Sequence, residues 1–194
     1  MKFWKENSYE IVRLFVIQIG ITIFSFIVSA AALALSEQNF PHLKPYVYLG
    51  VGIFATAFQL FIVYTAMWEV GSKKRESIER GRFTASPVHG LKIALWSNTV
   101  NFALLFITAV GLLRYAVENS FVIGMHGISR AIYIFLNSMH TGILRFFAPS
   151  ENSYLLVLIV SLLLLVPQIV VSTVAYTFGT KGLRVTKAKP PSIE

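Results

Sequence analysis

The chain has 194 residues, of which 55% are hydrophobic, 14% aromatic and only 13% charged. A water-soluble domain carries about 25% charged residues, so the composition excludes one and implies a polypeptide surrounded by lipid. The absence of cysteine excludes disulfides, thiolate metal sites, cysteine nucleophiles and palmitoylation. The net charge of +8 follows from where the cations fall along the chain and needs no nucleic-acid partner.

Residues 1–10 form a polar lead in which Trp4 and Tyr9 suit a membrane interface. The first predicted span covers about residues 11–35. It is longer than the roughly 7–15 apolar residues of a signal peptide, so the small residues Ala30, Ala31 and Ala32 read as helix, not as a cleavage site. Arg13 stands near its start, where a long cation can snorkel to headgroups. Pro41 and Pro45 keep residues 36–45 from continuing the helix and give a tight turn. The second span, 46–68, has Tyr46, Tyr48, Tyr64 and Trp68 near its two ends. A basic connector follows at 69–90, with Lys73, Lys74, Arg75, Arg80 and Arg82; part of it is predicted helical, with Glu76 and Arg80 spaced i, i+4.

Clustered lysine and arginine are costly to translocate, which assigns the connector to the cytoplasm. The third span, 91–117, carries the amides of Asn98 and Asn101. The fourth, 154–178, is the most apolar, with a kink expected at Pro167. The tail, 179–194, is basic. With these assignments all 17 lysines and arginines except Lys44, Arg114, Arg130 and Arg145 lie on the cytoplasmic side. A faint echo links Tyr64, Gly71 and Lys73 to Tyr176, Gly179 and Lys181, as two parallel hairpin repeats would give.

Residues 121–147, between the third and fourth spans, are too many for a plain turn. At about 100° per residue, His126, Ser129, Arg130, Tyr133, Asn137, His140 and Thr141 share one face, and Ile128, Ala131, Ile132, Phe135, Met139, Ile143 and Phe146 lie opposite. The pattern predicts a helix from near Gly127 with one polar and one apolar stripe. A fifth crossing would carry the basic tail outside, so an interfacial or re-entrant helix is favoured.

The fold class that results is an all-α integral membrane protein of one domain. It has four transmembrane helices in two hairpins, cytoplasmic N and C termini, and one amphipathic interfacial or re-entrant helix on the outer side. Multi-pass residence in the plasma membrane is expected.

Chemistry is sparsely encoded. His126 and His140 are about 21 Å apart along a continuous helix and cannot grip one ion. No HExxH, P-loop, dinucleotide fingerprint or serine-nucleophile motif is present. No metal, cofactor or catalytic residue is assigned, and an enzyme is not expected. Gln59, Asn98, Asn101 and Gln168, with Gln18, are the strong polar side chains inside the spans. They read as interhelical hydrogen-bond glue or, alternatively, as the lining of a solute path. His126, Arg130, Asn137 and His140 form a candidate contact for an outer anion or headgroup, and Lys73, Lys74, Arg75, Arg80 and Arg82 a cytoplasmic basic patch.

The reading is a non-catalytic subunit or accessory of a membrane assembly, of the transport class. A self-contained small-solute permease or substrate-binding component is the alternative, and an outer-leaflet lipid-acting enzyme the third. Expected partners are anionic inner-leaflet lipid and other membrane subunits or further copies of the chain.

Overall fold

In hydrocarbon a backbone must satisfy its own hydrogen bonds, and a lone apolar segment does so only as a helix. The computed structural model describes residues 2–39, 41–82, 86–112, 120–147 and 154–183, and all regular structure among them is helical. In order these are α1 (Lys2–Asn39), a 3-10 turn at Pro41–Leu43, α2 (Lys44–Glu79), α3 (Pro87–Ser97), α4 (Thr99–Leu112), α5 (Ser120–Leu136), a second 3-10 turn at Ser138–His140, α6 (Thr141–Phe147) and α7 (Tyr154–Thr180). Three helices, α1, α2 and α7, are long and apolar enough to cross a membrane, and α3 with α4 make a fourth if the bent pair counts as one span. Phe61, Phe106 and Leu163 are more than half exposed on the bundle surface, an arrangement suited to acyl chains and not to water.

Side-chain contacts fix the direction of each helix. His89 bonds to Asn7, Arg13 to Glu69, and the Trp68 indole to the Leu183 carbonyl. These gather the start of α1, the end of α2, the start of α3 and the end of α7 at one end of the bundle, which also carries the basic connector. The helices α1 and α3–α4 therefore run away from this charged end, and α2 and α7 run toward it. A core of Ile11, Leu14, Val63, Met67, Ile93 and Tyr176 fills the space between them there.

The α5–α6 segment does not run the length of the bundle. Ser129 meets Thr108 and Asn137 meets Asn101, so α5 runs antiparallel to α4 from the far end into the middle of the bundle. Beyond the turn His140 meets Thr56, Arg145 meets Tyr48 and Phe146 packs on Tyr46, so α6 returns along α2 to the far end. The non-helical tip, Asn137 to His140, is buried throughout, as irregular backbone at this depth must be.

Three asparagines mark the helix breaks. Asn7 (φ −128°, ψ 17°), Asn98 (φ −94°, ψ 7°) and Asn137 (φ −115°, ψ 32°) lie close to the bridge region of backbone space. Each turns its own Nδ2 back onto the carbonyl four residues earlier, Phe3, Ala94 or Tyr133, at 2.9, 2.9 and 3.1 Å. The side chain thus helps to satisfy the carbonyl that a break loosens, and at Asn98 the chain bends by 56° between α3 and α4.

This corrects the expectation of one unbroken span over 91–117, whose last residues, 113–117, lie outside the described ones. The polar lead is helical from Lys2, and α5 begins at Ser120, ahead of Gly127. Past Leu136 the constant winding assumed for 121–147 fails, so Met139, placed on the greasy face by periodicity, is buried at the tip. Pro167 stands inside an uninterrupted α7. The tail beyond residue 183 lies outside the described residues.

α2 and α7 lie against each other with backbones nearly touching. A Cβ added at Gly71 would fall on the Tyr176 carbonyl, and one at Gly179 on the Trp68 carbonyl. The two echoed glycines thus meet across one interface. Each helix then ends in a glycine of positive φ, Gly81 (69°) and Gly182 (67°). Both ends show paired bonds of the Schellman type: Gly81 to Ile78 with Arg82 to Ser77, and Gly182 to Gly179 with Leu183 to Phe178.

Candidate functional site

The amides divide into two groups. In the first, Gln59 of α2 donates from Nε2 to Oε1 of Gln168 on α7 at 3.2 Å, with both side chains buried. In the second, Gln18 of α1 meets Asn101 beside the α3–α4 bend and Asn137 at the hairpin tip, and Asn98 joins through Asn101. Asn101 Nδ2 donates to Gln18 Oε1 at 3.2 Å and to Asn98 Oδ1 at 3.0 Å. Its Oδ1 accepts from Asn137 Nδ2 at 3.0 Å and from Gln18 Nε2 at 3.3 Å. Gln18 Nε2 also reaches the Leu136 carbonyl and Asn137 Oδ1, both at 3.4 Å.

Two hydroxyls pin the tip beside this group: Thr22 donates to the Leu136 carbonyl at 2.6 Å, and Ser138 to the Thr22 carbonyl at 2.9 Å. All of these groups are neutral and turn polar atoms toward one another, while Gln59 Oε1 is buried without a partner. They hold four elements in register; they offer no proton and no charge.

His140 differs. Its ring is wholly buried, Nδ1 lies 2.9 Å from the Thr56 hydroxyl, and Nε2 has no hydrogen-bond partner. If Thr56 donates to the ring, Nε2 carries an unmet hydrogen; if it accepts, Nε2 is a bare acceptor. Either tautomer leaves one polar atom unsatisfied at the hairpin tip.

No family model matches the chain, and no curated protein or solved structure shows significant similarity to it. Its chemistry has to be read from its own side chains.

The polar stripe predicted on 121–147 faces protein. Ser129 and Tyr133 are buried, Arg130 is half-buried, and Asn137 and His140 sit within the bundle, while Ile128, Ile132 and Phe135 are exposed. A polar face buried against other helices with its greasy face outward is the arrangement that lipid favours. The structure therefore does not gather Arg130, Asn137 and His140 on one outer surface, and the side chain of His126 lies outside the described residues. The cation of this region that reaches the far end is Arg145, one turn beyond Thr141. Its Nη1 donates to the Tyr48 hydroxyl at 2.7 Å, and its guanidinium lies 5.1 Å from the Tyr48 ring centre. Beside it a cleft of about 230 Å³ separates α1, α2 and the hairpin, with Ser138 and Gly142 in its wall.

At the charged end Glu69 accepts from Arg13 at 2.6 Å and pairs with Lys73 at 2.7 Å. Lys73 and then Arg13 hold its carboxyl down to about 2. The predicted snorkelling of Arg13 gives way to an ion pair because Glu69 presents its carboxylate at the same level. Arg75 pairs with Glu79 at 2.6 Å and Arg80 with Glu76 at 3.7 Å, while Arg82 is exposed beyond the helix end. Lys74 lies on the same turns. The patch is therefore cationic but laced with carboxylates.

His89, half-buried, places Nε2 2.9 Å from Asn7 Oδ1. Asn7 Nδ2 is already committed to Phe3, so Oδ1 accepts and the His89 ring carries its proton on Nε2. Among the described residues no cluster of three His, Asp or Glu could hold a metal ion.

Sequence reasoning named Gln18 as polar but did not join it to Asn101, and it missed Thr22, Thr56 and Ser138. The available signal was a lone amide or hydroxyl inside each apolar run, which pairs with another because lipid provides no alternative.

Proposed function

We propose that the chain is a multi-pass plasma-membrane protein with its basic connector and both termini in the cytoplasm. It has four spans in two hairpins, the third span being the bent α3–α4 pair, and a re-entrant α5–α6 hairpin entering from the outer side. In this reading it serves as a non-catalytic subunit or accessory of a membrane assembly of the transport class. Mutual hydrogen bonding of the buried amides carries the reading: Gln18, Asn98, Asn101 and Asn137 close on one another, as do Gln59 and Gln168, so they act as glue that fixes a rigid helical surface. That surface is available to neighbouring membrane subunits or to further copies of the chain, and the connector to anionic inner-leaflet lipid.

Native mass spectrometry after extraction in a mild detergent tests this. The expected result is a complex heavier than the 21.7 kDa chain, containing a second membrane polypeptide or another copy in fixed ratio. A solitary chain that, reconstituted alone, moves a solute across liposomes would overturn it.

A second reading, a self-contained permease or substrate-binding component, is favoured by one observation. Broken helices inside a membrane mark the binding sites of many transporters, and here the broken tip presents His140 with an unpartnered Nε2.

A further inference from the structure

Arg145 is unlike the paired cations of the charged end. Arg13, Lys73, Arg75 and Arg80 each pair with a glutamate. The guanidinium of Arg145 has no carboxylate partner among the described residues; it rests on a phenol instead. One of its five N–H donors is used on Tyr48 Oη, and the ring beneath fixes its plane. The remaining donors stand at the cleft between α1, α2 and the hairpin.

α6 lies so close to α2 that a Cβ at Gly142 would strike the Tyr48 carbonyl, so the backbone that carries Arg145 has little room to move. An arginine held in this way, with no carboxylate beside it among the described residues, is a prepared anion receptor.

The rest of the cleft fits that role. Phe26 and Ala30 give it an apolar wall, and Ser29 and Thr141 bring hydroxyls from opposite sides. The Tyr48 hydroxyl accepts from Arg145, which leaves its own hydrogen to donate. The Thr141 hydroxyl is packed away from water without a partner. Burying such a group unpartnered is unfavourable, and a χ1 rotation would offer it to an acceptor in the cleft. A planar carboxylate would meet the guanidinium fork alone. Donors converging from several directions suit a tetrahedral oxyanion, and about 230 Å³ admits a phosphate with a short stem.

We infer that this cleft binds a phosphate ester at the far end of the bundle, with Arg145 as its counter-ion, Tyr48 and Thr141 as hydroxyl donors, and Phe26 and Ala30 against the stem. The phosphate belongs either to a phospholipid headgroup or to a small water-soluble ester. The inference is independent of the assembly reading, because a bare chain and a subunit present the same cleft.

The test uses the full chain, with two probes. The protein is placed in nanodiscs of phosphatidylcholine with or without phosphatidylglycerol, and bound lipid is counted by native mass spectrometry. Separately, glycerol 3-phosphate is titrated calorimetrically in phosphatidylcholine discs.

One probe is expected to bind at one per chain, and which one identifies the source. Arg145→Gln should weaken it about tenfold or more, with partial recovery in Arg145→Lys. Ser29→Leu, which fills the cleft from α1 and leaves the cation in place, should weaken it comparably, and Gly20→Ala, at an exposed position on α1 outside the cleft, should leave it unchanged. Saturable binding of neither probe overturns the proposal, as does binding that survives both Arg145→Gln and Ser29→Leu in variants with wild-type helicity and elution volume.

Discussion

Asn101 is the residue through which α1, the α3–α4 bend and the hairpin tip are tied together. It donates to Gln18 and Asn98 and accepts from Gln18 and Asn137. In hydrocarbon the unfolded helices also find hydrogen-bond partners, so single polar contacts in membranes average only about 0.6 kcal/mol. A shared acceptor raises the stake, because its loss orphans several buried amides together. Asn101→Ala should therefore lower the free energy of unfolding by about 1–3 kcal/mol, measured by titration with a denaturing detergent. Gln18→Ala strips the same cluster, so the double variant should lose less than the sum of the singles, with a coupling of about 1 kcal/mol. Strictly additive losses would mean that the amides do not act as a unit.

At the level of elements, the packing of α2 on α7 rests on the absence of two side chains. Gly71 and Gly179 face backbone, which cannot step aside, whereas Gly20 and Gly50 have nothing within 4 Å. Gly179→Val should destabilise the bundle by about 1–3 kcal/mol or prevent its assembly. Gly20→Ala, at an exposed position inside α1, should leave the thermal midpoint unchanged or raise it. Equal tolerance of both changes would contradict the α2–α7 geometry.

The long helices were legible because hydropathy and length are enough to define a span, and the α2–α7 contact left a trace in the echoed glycines. The bend at Asn98 was not legible. An asparagine in an apolar run reads equally as glue and as a break, and only its neighbours in space decide that its amide turns back to Ala94. The burial of the hairpin was half legible: periodicity separated a polar from an apolar stripe on 121–147, but amphipathicity alone does not say whether the polar stripe faces water or protein. The same blindness hid the cleft, because Tyr48 and Arg145 are 97 residues apart and belong to segments with no shared pattern.

For the whole molecule, orientation decides where every site lies. The α2 helix has 36 residues and so runs to about 54 Å, against about 30 Å of hydrocarbon. A helix of that length projects beyond the bilayer, and in the proposed orientation, which follows the positive-inside bias, its charged last turns do so in the cytoplasm. The chain has no native cysteine, so single introduced thiols report position without background. Lys74→Cys and Leu183→Cys should resist a membrane-impermeant maleimide in intact cells and react after permeabilisation, because both positions share the charged end.

Gly124→Cys and Phe147→Cys, at exposed positions on the two arms of the hairpin, should both react in intact cells, because a hairpin returns to the side it entered from. Met139→Cys at the tip should react from neither side until the protein is unfolded. Opposite labelling of positions 124 and 147 would make the segment a crossing. It would also force the tail to the other face and separate Leu183 from Trp68, whose indole bonds to its carbonyl at 2.7 Å. Retention of that contact and a crossing hairpin are mutually exclusive, so one labelling pattern decides both.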